Sequence, residues 1–557
     1  MTVAAQGPAF SLWEIPFGYR GSWFGFSPVV AERTYAEEVH LVSHQTGMHP
    51  ILKLVPGAET AITATPHRLT WSGGGGRIDL AYESADTARL RGRGLGLRLL
   101  AADPVLTPFS GPYFYQDPVD GSYVFTVYQT GRRYRITLLG GRAEPLGAQA
   151  LGAAERGVVL DDGEWEIAVE EYETARAPYV STGSFEQVAK AARAEFDAFA
   201  AAVAPWRGDR TPAAELAAYV LWSATVRPAG FVTRPAVLMS KHWMDKVWSW
   251  DHCFNAIALA PGLPELAWDQ YRLPFDHQDA AGALPDSVTH SEILHNFVKP
   301  PVHGWALRHL PPPSDQAGSY RLLERWTAFW LDARRAPGRE LAHYQHGNDS
   351  GWDNATTFDP ERVVETADLA AFLVLQMREL ARLAPGPDAS ALWTERADRM
   401  RDALLAELWD GERFVARGVL SGRTWGGSSL LDLMPIVLGE ELPRPVRAAL
   451  AAKIERHLTA FGPATELPAS AHYQDDGYWR GPIWAPSTVL IEDGLRRSGY
   501  PDLADEVSAR FRALCEKSGF AENFDARTGE GLRDRAYTWT ASAYLILAAA
   551  HERRGRP

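Results

Sequence analysis

Cysteine is almost missing from this chain. Two in 557 residues, Cys253 and Cys515, exclude a disulfide framework, and a zinc site would have to be completed by histidines. No run approaches the roughly eighteen continuous apolar residues of a membrane span. Positive charge is the minority sign, with 56 Lys and Arg against 69 Asp and Glu and a net charge of -13. Such a surface repels phosphate backbones and anionic lipid, so neither nucleic acid nor membrane is an expected partner. The first residues, Met1 to Pro8, lack the basic start and apolar stretch of a signal peptide, and a cytoplasmic protein is expected. Tryptophan is the residue in excess: 16 of the 20 lie between Trp206 and Trp539, which points to aromatic surfaces in the later part of the chain.

The hydrophobic period divides the chain. Leu95, Leu97 and Leu99 alternate with Gly94, Gly96 and Arg98, and Tyr134, Ile136 and Leu138 with Arg133, Arg135 and Thr137. Trp165, Ile167 and Val169 alternate with Glu166, Ala168 and Glu170. Period two means one buried and one wet face, as in an antiparallel sheet or sandwich. Runs 121–128 and 132–139 flank Gln129-Thr130-Gly131, a hairpin signal. Ser184-Phe185-Glu186-Gln187 fits a capping box, and Val188, Ala192, Phe196, Phe199 and Val203 follow at helical spacing up to Pro205. Long helical patterns then recur at 213–227, 320–335, 364–383, 391–408, 446–461, 503–517 and 539–553. Helices joined by aromatic and acidic loops suggest helix pairs stacked into a ring or solenoid. The expected division is a β-sandwich domain over 1–183, a linker helix over 184–210 and a helical domain over 211–557.

Four loops concentrate tryptophan and carboxylate. Lys246–Asn255 holds Trp248, Trp250 and Asp251, where Asp251 fits a helix N-cap as well as a ligand role. His346–Ala355 holds Asp349, Trp352 and Asp353, and as a calcium loop it lacks a Glu at the twelfth position from Asn348. Gly477–Trp484 sets Tyr478, Trp479, Arg480 and Trp484 between glycine and proline hinges. Gly519–Glu530 contains an ordinary turn over 525–529, which leaves Glu522 unexplained. Sugars pack their C–H faces on indole rings and bond through hydroxyls to Asp, Arg, Asn and His. A glycosidic bond is cut by two carboxyl groups, one a neutral acid and one an anion. An apolar wall such as Trp352 raises the proton affinity of a neighbouring carboxyl such as Asp353.

In this order, the four segments resemble the (α/α)6-barrel glycoside hydrolases of family 63, with family 37 trehalases as more distant relatives. Family 63 includes α-glucosidase and mannosylglycerate or glucosylglycerate hydrolase types. Tyr478-Trp-Arg-Gly-Pro-Ile-Trp484 matches their shared signature. The resemblance spans roughly residues 206–550 and implies an N-terminal antiparallel β-sandwich followed by an (α/α)6 toroid. It places the general acid on Asp353, in Ser350-Gly-Trp-Asp-Asn354, and the general base on Glu522, in Glu522-Asn-Phe524. Trp250-Asp251 resembles the family's sugar-binding pair, while Gly282-Ala-Leu-Pro-Asp286 approximates a pocket loop and suggests a role for Gln278. Trp352, Tyr478, Trp479, Arg480 and Trp484 complete the expected binding set. Two departures bear on substrate: Asn354-Ala-Thr-Thr357 stands where the family commonly has Asn-Ser-Pro-Arg, and Phe524 where Tyr is frequent.

The resulting expectation is an inverting, exo-acting α-glycosidase on a short glucoside, with a small carbohydrate as partner and no cofactor or metal required. A sugar phosphorylase on the same toroid and a non-catalytic sugar-binding protein are the alternatives. Asp349 rivals Asp353, and Glu516 and Glu530 rival Glu522. His242, His252, His346 and His472 lack a metal spacing, and Trp326 and Trp330, four apart on one helix, read as core. Sugar identity, linkage, aglycone and oligomeric state are not legible in the residues.

Overall fold

Strands Tyr123–Val127 and Arg132–Gly140 pair antiparallel around Gln129–Gly131, the hairpin that the alternation predicts. They belong to an eight-stranded sheet in the computed structural model, which describes residues 7–147 and 151–555. Residues 1–6, most of the segment read for a targeting signal, lie outside the described residues. In spatial order the sheet runs Pro112–Gln116, Tyr123–Val127, Arg132–Gly140, Glu164–Tyr172, Thr87–Arg93, Gly76–Ser84, Arg68–Gly73 and Ala61–Thr65. A six-stranded sheet runs Phe24–Ala31, Thr34–Ser43, His49–Pro56, Leu97–Ala101, Gly157–Leu160 and Ala143–Leu146. Phe24, Leu41, Leu52, Leu99 and Val158 from the smaller sheet share one core with Leu80, Leu90, Phe125, Ile136 and Ile167 from the larger, which makes the pair a sandwich.

The outer face of the larger sheet is not wet, as simple alternation predicts. Arg89, Arg135 and Glu170 are buried there because the chain after the last strand runs back across them. Arg89 donates to the Tyr179 hydroxyl at 2.8 Å and to Ser181 Oγ at 3.1 Å, and Arg135 donates to the carbonyls of Arg176 and Ala177 at 3.2 and 2.7 Å. Helix α1 (Phe185–Val203) follows, opened by the reciprocal Ser184–Gln187 capping box.

The chain forms two compact units whose limits differ from the expected ones. The first comprises residues up to Pro205 together with Ala218–Lys246 and Thr289–Ser291, and the second comprises Trp206–Ala217, Val247–Val288 and the chain from Glu292 onward. The helix of the segment 184–210 lies within the first unit up to Pro205. Phe185, Val188 and Ala189 of α1 cluster with Ala81 of the sheet, and the Phe196 ring packs edge-on against Tyr219 and Trp222 at 5.8 and 5.6 Å.

After α2 (Ala214–Ala224), the second unit contains α3 (Asp251–Leu259), α4 (Pro264–Asp276), α5 (His303–Leu307), α6 (Gln316–Ala333), α7 (Ala367–Leu383), α8 (Pro387–Glu407), a 3₁₀ segment (Leu430–Glu441), α9 (Arg444–His457), α10 (Ala485–Arg497), α11 (Pro501–Ser518) and α12 (Thr538–Arg554). Helices α3, α5 and α7, the 3₁₀ segment, α10 and α12 pack successively, and α12 returns to α3, closing an inner ring. The others back it: α4 on α3, α8 on α7, α9 on the 3₁₀ segment and α11 on α10. Two glycines permit the tightest inner approaches. A Cβ on Gly304 would meet Gln376 Cα at 2.3 Å, and one on Gly494 would meet the Ile436 backbone at 2.8 Å. Asn255, wholly buried, stitches the ring shut by donating to Thr538 Oγ1 at 3.3 Å and accepting from Ser542 Oγ at 2.8 Å. Trp326 and Trp330 are core, as expected.

Candidate active site

Each inner element is entered at its N-terminus by a loop, and those loops carry the chemistry. Asp251 is the first residue of α3; Trp250 occupies the N-cap position and makes no side-chain cap bond, so the capping role open to Asp251 is not used. Three short antiparallel strands, Val247–Trp248, Ser287–Val288 and Ile293–Leu294, bring Asp286 and the segment leading to Lys299 beside Trp248. Asp353 precedes α7, Tyr478–Trp484 runs directly into α10, and Glu522 precedes α12.

The Tyr478–Trp484 segment is a crosspiece between the Asp353 loop and the Glu522 loop. On one side Asn354 accepts from Trp479 N and donates to Gly477 O, both at 3.0 Å, while Arg480 Nε donates to the Asn354 carbonyl at 2.7 Å. On the other side Ile483 and Phe524 exchange backbone hydrogen bonds at 2.8 and 3.0 Å. The indoles form a continuous stack behind it. Trp479 lies flat on Trp484 with ring centres 4.0 Å apart and planes at 5°, and Trp352 covers its other side at 4.5 Å. Trp250 and Trp539 close the cluster at 6.4 Å from Trp479 and 5.4 Å from Trp484. Tyr478 holds a left-handed φ of 62°, uncommon for a bulky residue, with Arg533 4.9 Å over its ring.

Carboxylates converge in front of this wall. Burial pushes Asp251 up to about 8; the Asp286 and Asp353 carboxylates add to the effect and Lys299 opposes it. Burial also raises Asp353, with Lys299 again opposing and Asp286 reinforcing. Asp353 Oδ1 receives no hydrogen bond and lies 3.8 Å from Lys299 Nζ. Glu522 is buried, and its backbone is held by Asp534 O at 2.7 Å and by Trp539 Nε1 at 3.4 Å. The Tyr478 phenol is driven well above 10 by burial, then by the charges of Glu522 and Asp353; Tyr537 is likewise raised by burial, Glu522 and Asp251. These two phenols mark where the Asp353 loop, the Glu522 loop and the head of α3 meet.

The structure thus brings Trp250, Asp251, Trp352, Asp353, Tyr478, Trp479, Trp484 and Glu522 together. Trp352, Trp479 and Trp484 are almost wholly buried and form the backing stack. Arg480 grips the Asp353 loop through the Asn354 carbonyl and Asp359. Gln278 donates to the carbonyls of Gly282 and Leu322 at 2.9 and 3.2 Å, and no hydrogen bond joins it to the carboxylate cluster. Of the rivals, Asp349 accepts from Arg334, Val298 N and Gln345 N, a donor-rich setting that leaves it a bracing role. Glu516 accepts from the Tyr544 hydroxyl, and Glu530 is exposed on its turn. Among the described residues no group of His, Cys, Asp and Glu is arranged for a metal ion. Sequence reasoning missed Lys299 and Tyr537, and it placed Asp286 only as the end of a pocket loop, with no role of its own. One signal was available for the first: lysine supplies only seven of 56 basic residues, and one of the seven stands before Pro300-Pro301 in a loop without helical period.

A closed double ring of helices with carboxyls at its mouth, in front of a tryptophan wall, defines a toroidal glycoside hydrolase. Residues 244–540, more than half of the chain, match the family described as mannosylglycerate hydrolase MGH1-like glycoside hydrolase domain, and the chain belongs to that family. It is 25% identical over 416 residues to a mannosylglycerate hydrolase of Rubrobacter radiotolerans, covering 57% of this chain and 92% of that one. It is 23% identical over 439 residues to a glucosylglycerate hydrolase of Mycolicibacterium hassiacum, covering 59% and 97%. Among solved structures, a GH63 mannosylglycerate hydrolase of Thermus thermophilus in complex with Tris matches 60% of this chain and 99% of its own with a TM-score of 0.52 at 23% identity. A bacterial glucoamylase complexed with acarbose matches 99% and 96% with a TM-score of 0.59 at 11% identity; both likenesses bear on the fold. No helix among the described residues is long and apolar enough to cross a membrane.

Proposed function

We propose that this glycoside hydrolase is an inverting, exo-acting α-glycosidase in which Asp353 protonates the leaving oxygen and Glu522 deprotonates the attacking water. The observation that carries this reading is that one segment, Tyr478–Trp484, is bonded to the Asp353 loop through Asn354 and to the Glu522 loop through the Ile483–Phe524 backbone pair, so that both carboxyls are carried to one ring mouth. An acid must hold its proton, and the partial burial of Asp353 beside Trp352 shifts it in that direction. Inversion calls for carboxyls roughly 6.5–9.5 Å apart, with water between the base and the anomeric carbon. Asp251, the edge of Trp250 and the Tyr478 hydroxyl hold the terminal sugar.

The expected substrate shifts from a general short glucoside to a sugar linked to a glycerate-like hydroxy acid, because the similar proteins are named mannosylglycerate and glucosylglycerate hydrolases. The test is a panel of mannosylglycerate, glucosylglycerate and α-linked disaccharides, read by released sugar and by proton NMR of the first product. A β-anomer released without added phosphate is expected. An α-anomer overturns inversion, a strict need for phosphate identifies a phosphorylase, and binding without cleavage at any pH removes the catalytic reading.

A further inference from the structure

Lys299 is the cation at the ring mouth nearest the acid. It is buried, and its Nζ donates to the Asn348 carbonyl at 3.0 Å, lies 3.3 Å from Asp286 Oδ1 and sits 5.4 Å over the Trp248 ring. The remaining direction points toward Asp353 Oδ1, at 3.8 Å, beyond hydrogen-bond length. Both partners are rigidly carried. Asp349 takes the amide of Val298, the residue before Lys299, and braces the acid loop through Gln345 N. Asp286 is held by its own amide on Leu294 O at 2.8 Å.

We propose that Lys299 and Asp286 form a paired positioning device that sets how firmly Asp353 holds its proton, with Lys299 as the counter-ion of the carboxylate left when that proton moves to the leaving group. The inference rests on Asp353 being the acid. An ammonium 3.8 Å from a carboxyl favours its ionised form, which strengthens the acid and also threatens to discharge it before substrate arrives. Asp286, closer to the ammonium than Asp353 is, offsets that pull in the resting site. Once the proton leaves, Asp353 is an anion and draws Lys299 in. The other charged or titratable groups facing Asp353 are His346 on its own loop, Asp251 at the head of α3 and Tyr478 on the crosspiece.

The two partners should act with opposite sign, which a merely structural role does not predict. In Lys299→Met the alkaline limb of kcat/KM, reporting loss of the acid's proton, moves up by about one pH unit or more, and in Asp286→Asn it moves down. Lys299→Met also slows an unactivated glycosylglycerate at least tenfold more than a nitrophenyl glycoside of the same sugar, since only the former needs the proton; Lys299→Arg restores part of the limb position. All are measured on full-length protein with melting checked, and Lys299→Gln replaces Lys299→Met if the latter does not fold. Limbs unmoved, or moved the same way, while Asp353→Asn is inactive on the unactivated glycoside overturn the role of Lys299 alone. Asp353→Asn that keeps wild-type turnover overturns the acid assignment and this inference with it.

Discussion

In the sheet unit, Glu170 faces Arg135 at 2.7 Å and Arg176 at 3.1 Å, and Asp79 faces Arg77 at 2.6 Å and Arg91 at 3.2 Å. At the mouth of the helical ring, Asp251, Asp286 and Asp353 gather around one ammonium, that of Lys299. Elsewhere in the ring Glu365 faces Arg339 and Arg417 in the same way, whereas Asp432 and Glu466 are held by the hydroxyls of Thr357, Thr356 and Ser428. Buried carboxylates matched by guanidinium serve the fold. Carboxylates gathered about few cations cost stability, and such clusters are where perturbed proton affinities are found.

The comparison breaks first at the catalytic pair. Asp353→Asn and Glu522→Gln should each lower kcat by about 10²–10⁴-fold with melting temperature held or raised, and an activated leaving group should rescue only the Asp353 variant. Arg135→Met is the converse change. It leaves Glu170 short of a partner and should cost about 3 kcal/mol in chemical denaturation, with kcat of the folded protein unchanged. Asn354→Ala removes the bonds to Gly477 and Trp479 that hold the acid loop to the crosspiece, and should lower kcat about tenfold with little change in thermal stability.

The smallest effect concerns Asp251. Burial lifts its pKa from the ordinary aspartate range to about 8 on folding, so the folded state binds the proton more tightly across that window. Its contribution to stability is therefore full at acidic pH and is lost as pH climbs toward 8. Asp251→Asn, which cannot ionise, should melt a few degrees above wild type at pH 8, with the gain shrinking toward pH 4 and activity reduced throughout. A gain that grows toward low pH would invert the sign and remove the buried-charge account.

What the residues disclosed and what they withheld follow from geometry. The hairpin at Gln129–Gly131 and the Ser184 capping box were readable because turn chemistry and caps are local. Helices α6, α7, α8, α9, α11 and α12 were readable, to within a few residues, from apolar periodicity. The elements left unread were mainly inner ones: α3, whose nine residues are all buried, the short α5, the 3₁₀ segment and α10. An element surrounded by protein has little wet face and so a weak period; the inner α7 and α12, at 17 residues each, are long enough to be read all the same. The exception on the outside is α4, which carries Pro274 near its end. At the site, the tryptophans and Asp353 stood out by clustering. Asp286 and Lys299 matter through an encounter across the ring mouth that no local spacing encodes.

Closure of the ring has a consequence for synthesis. The Asn255 stitch joins residues 283 and 287 positions apart, so α3 waits unsheathed until α12 emerges. A nascent chain halted after α11 would display Asp353 and most of the indole wall, yet lack Glu522 and present an open seam of apolar helix. Such a truncated arc is expected to be inert toward glycosides and to recruit chaperones, so hydrolytic competence arrives with the final turn of the toroid and not by degrees.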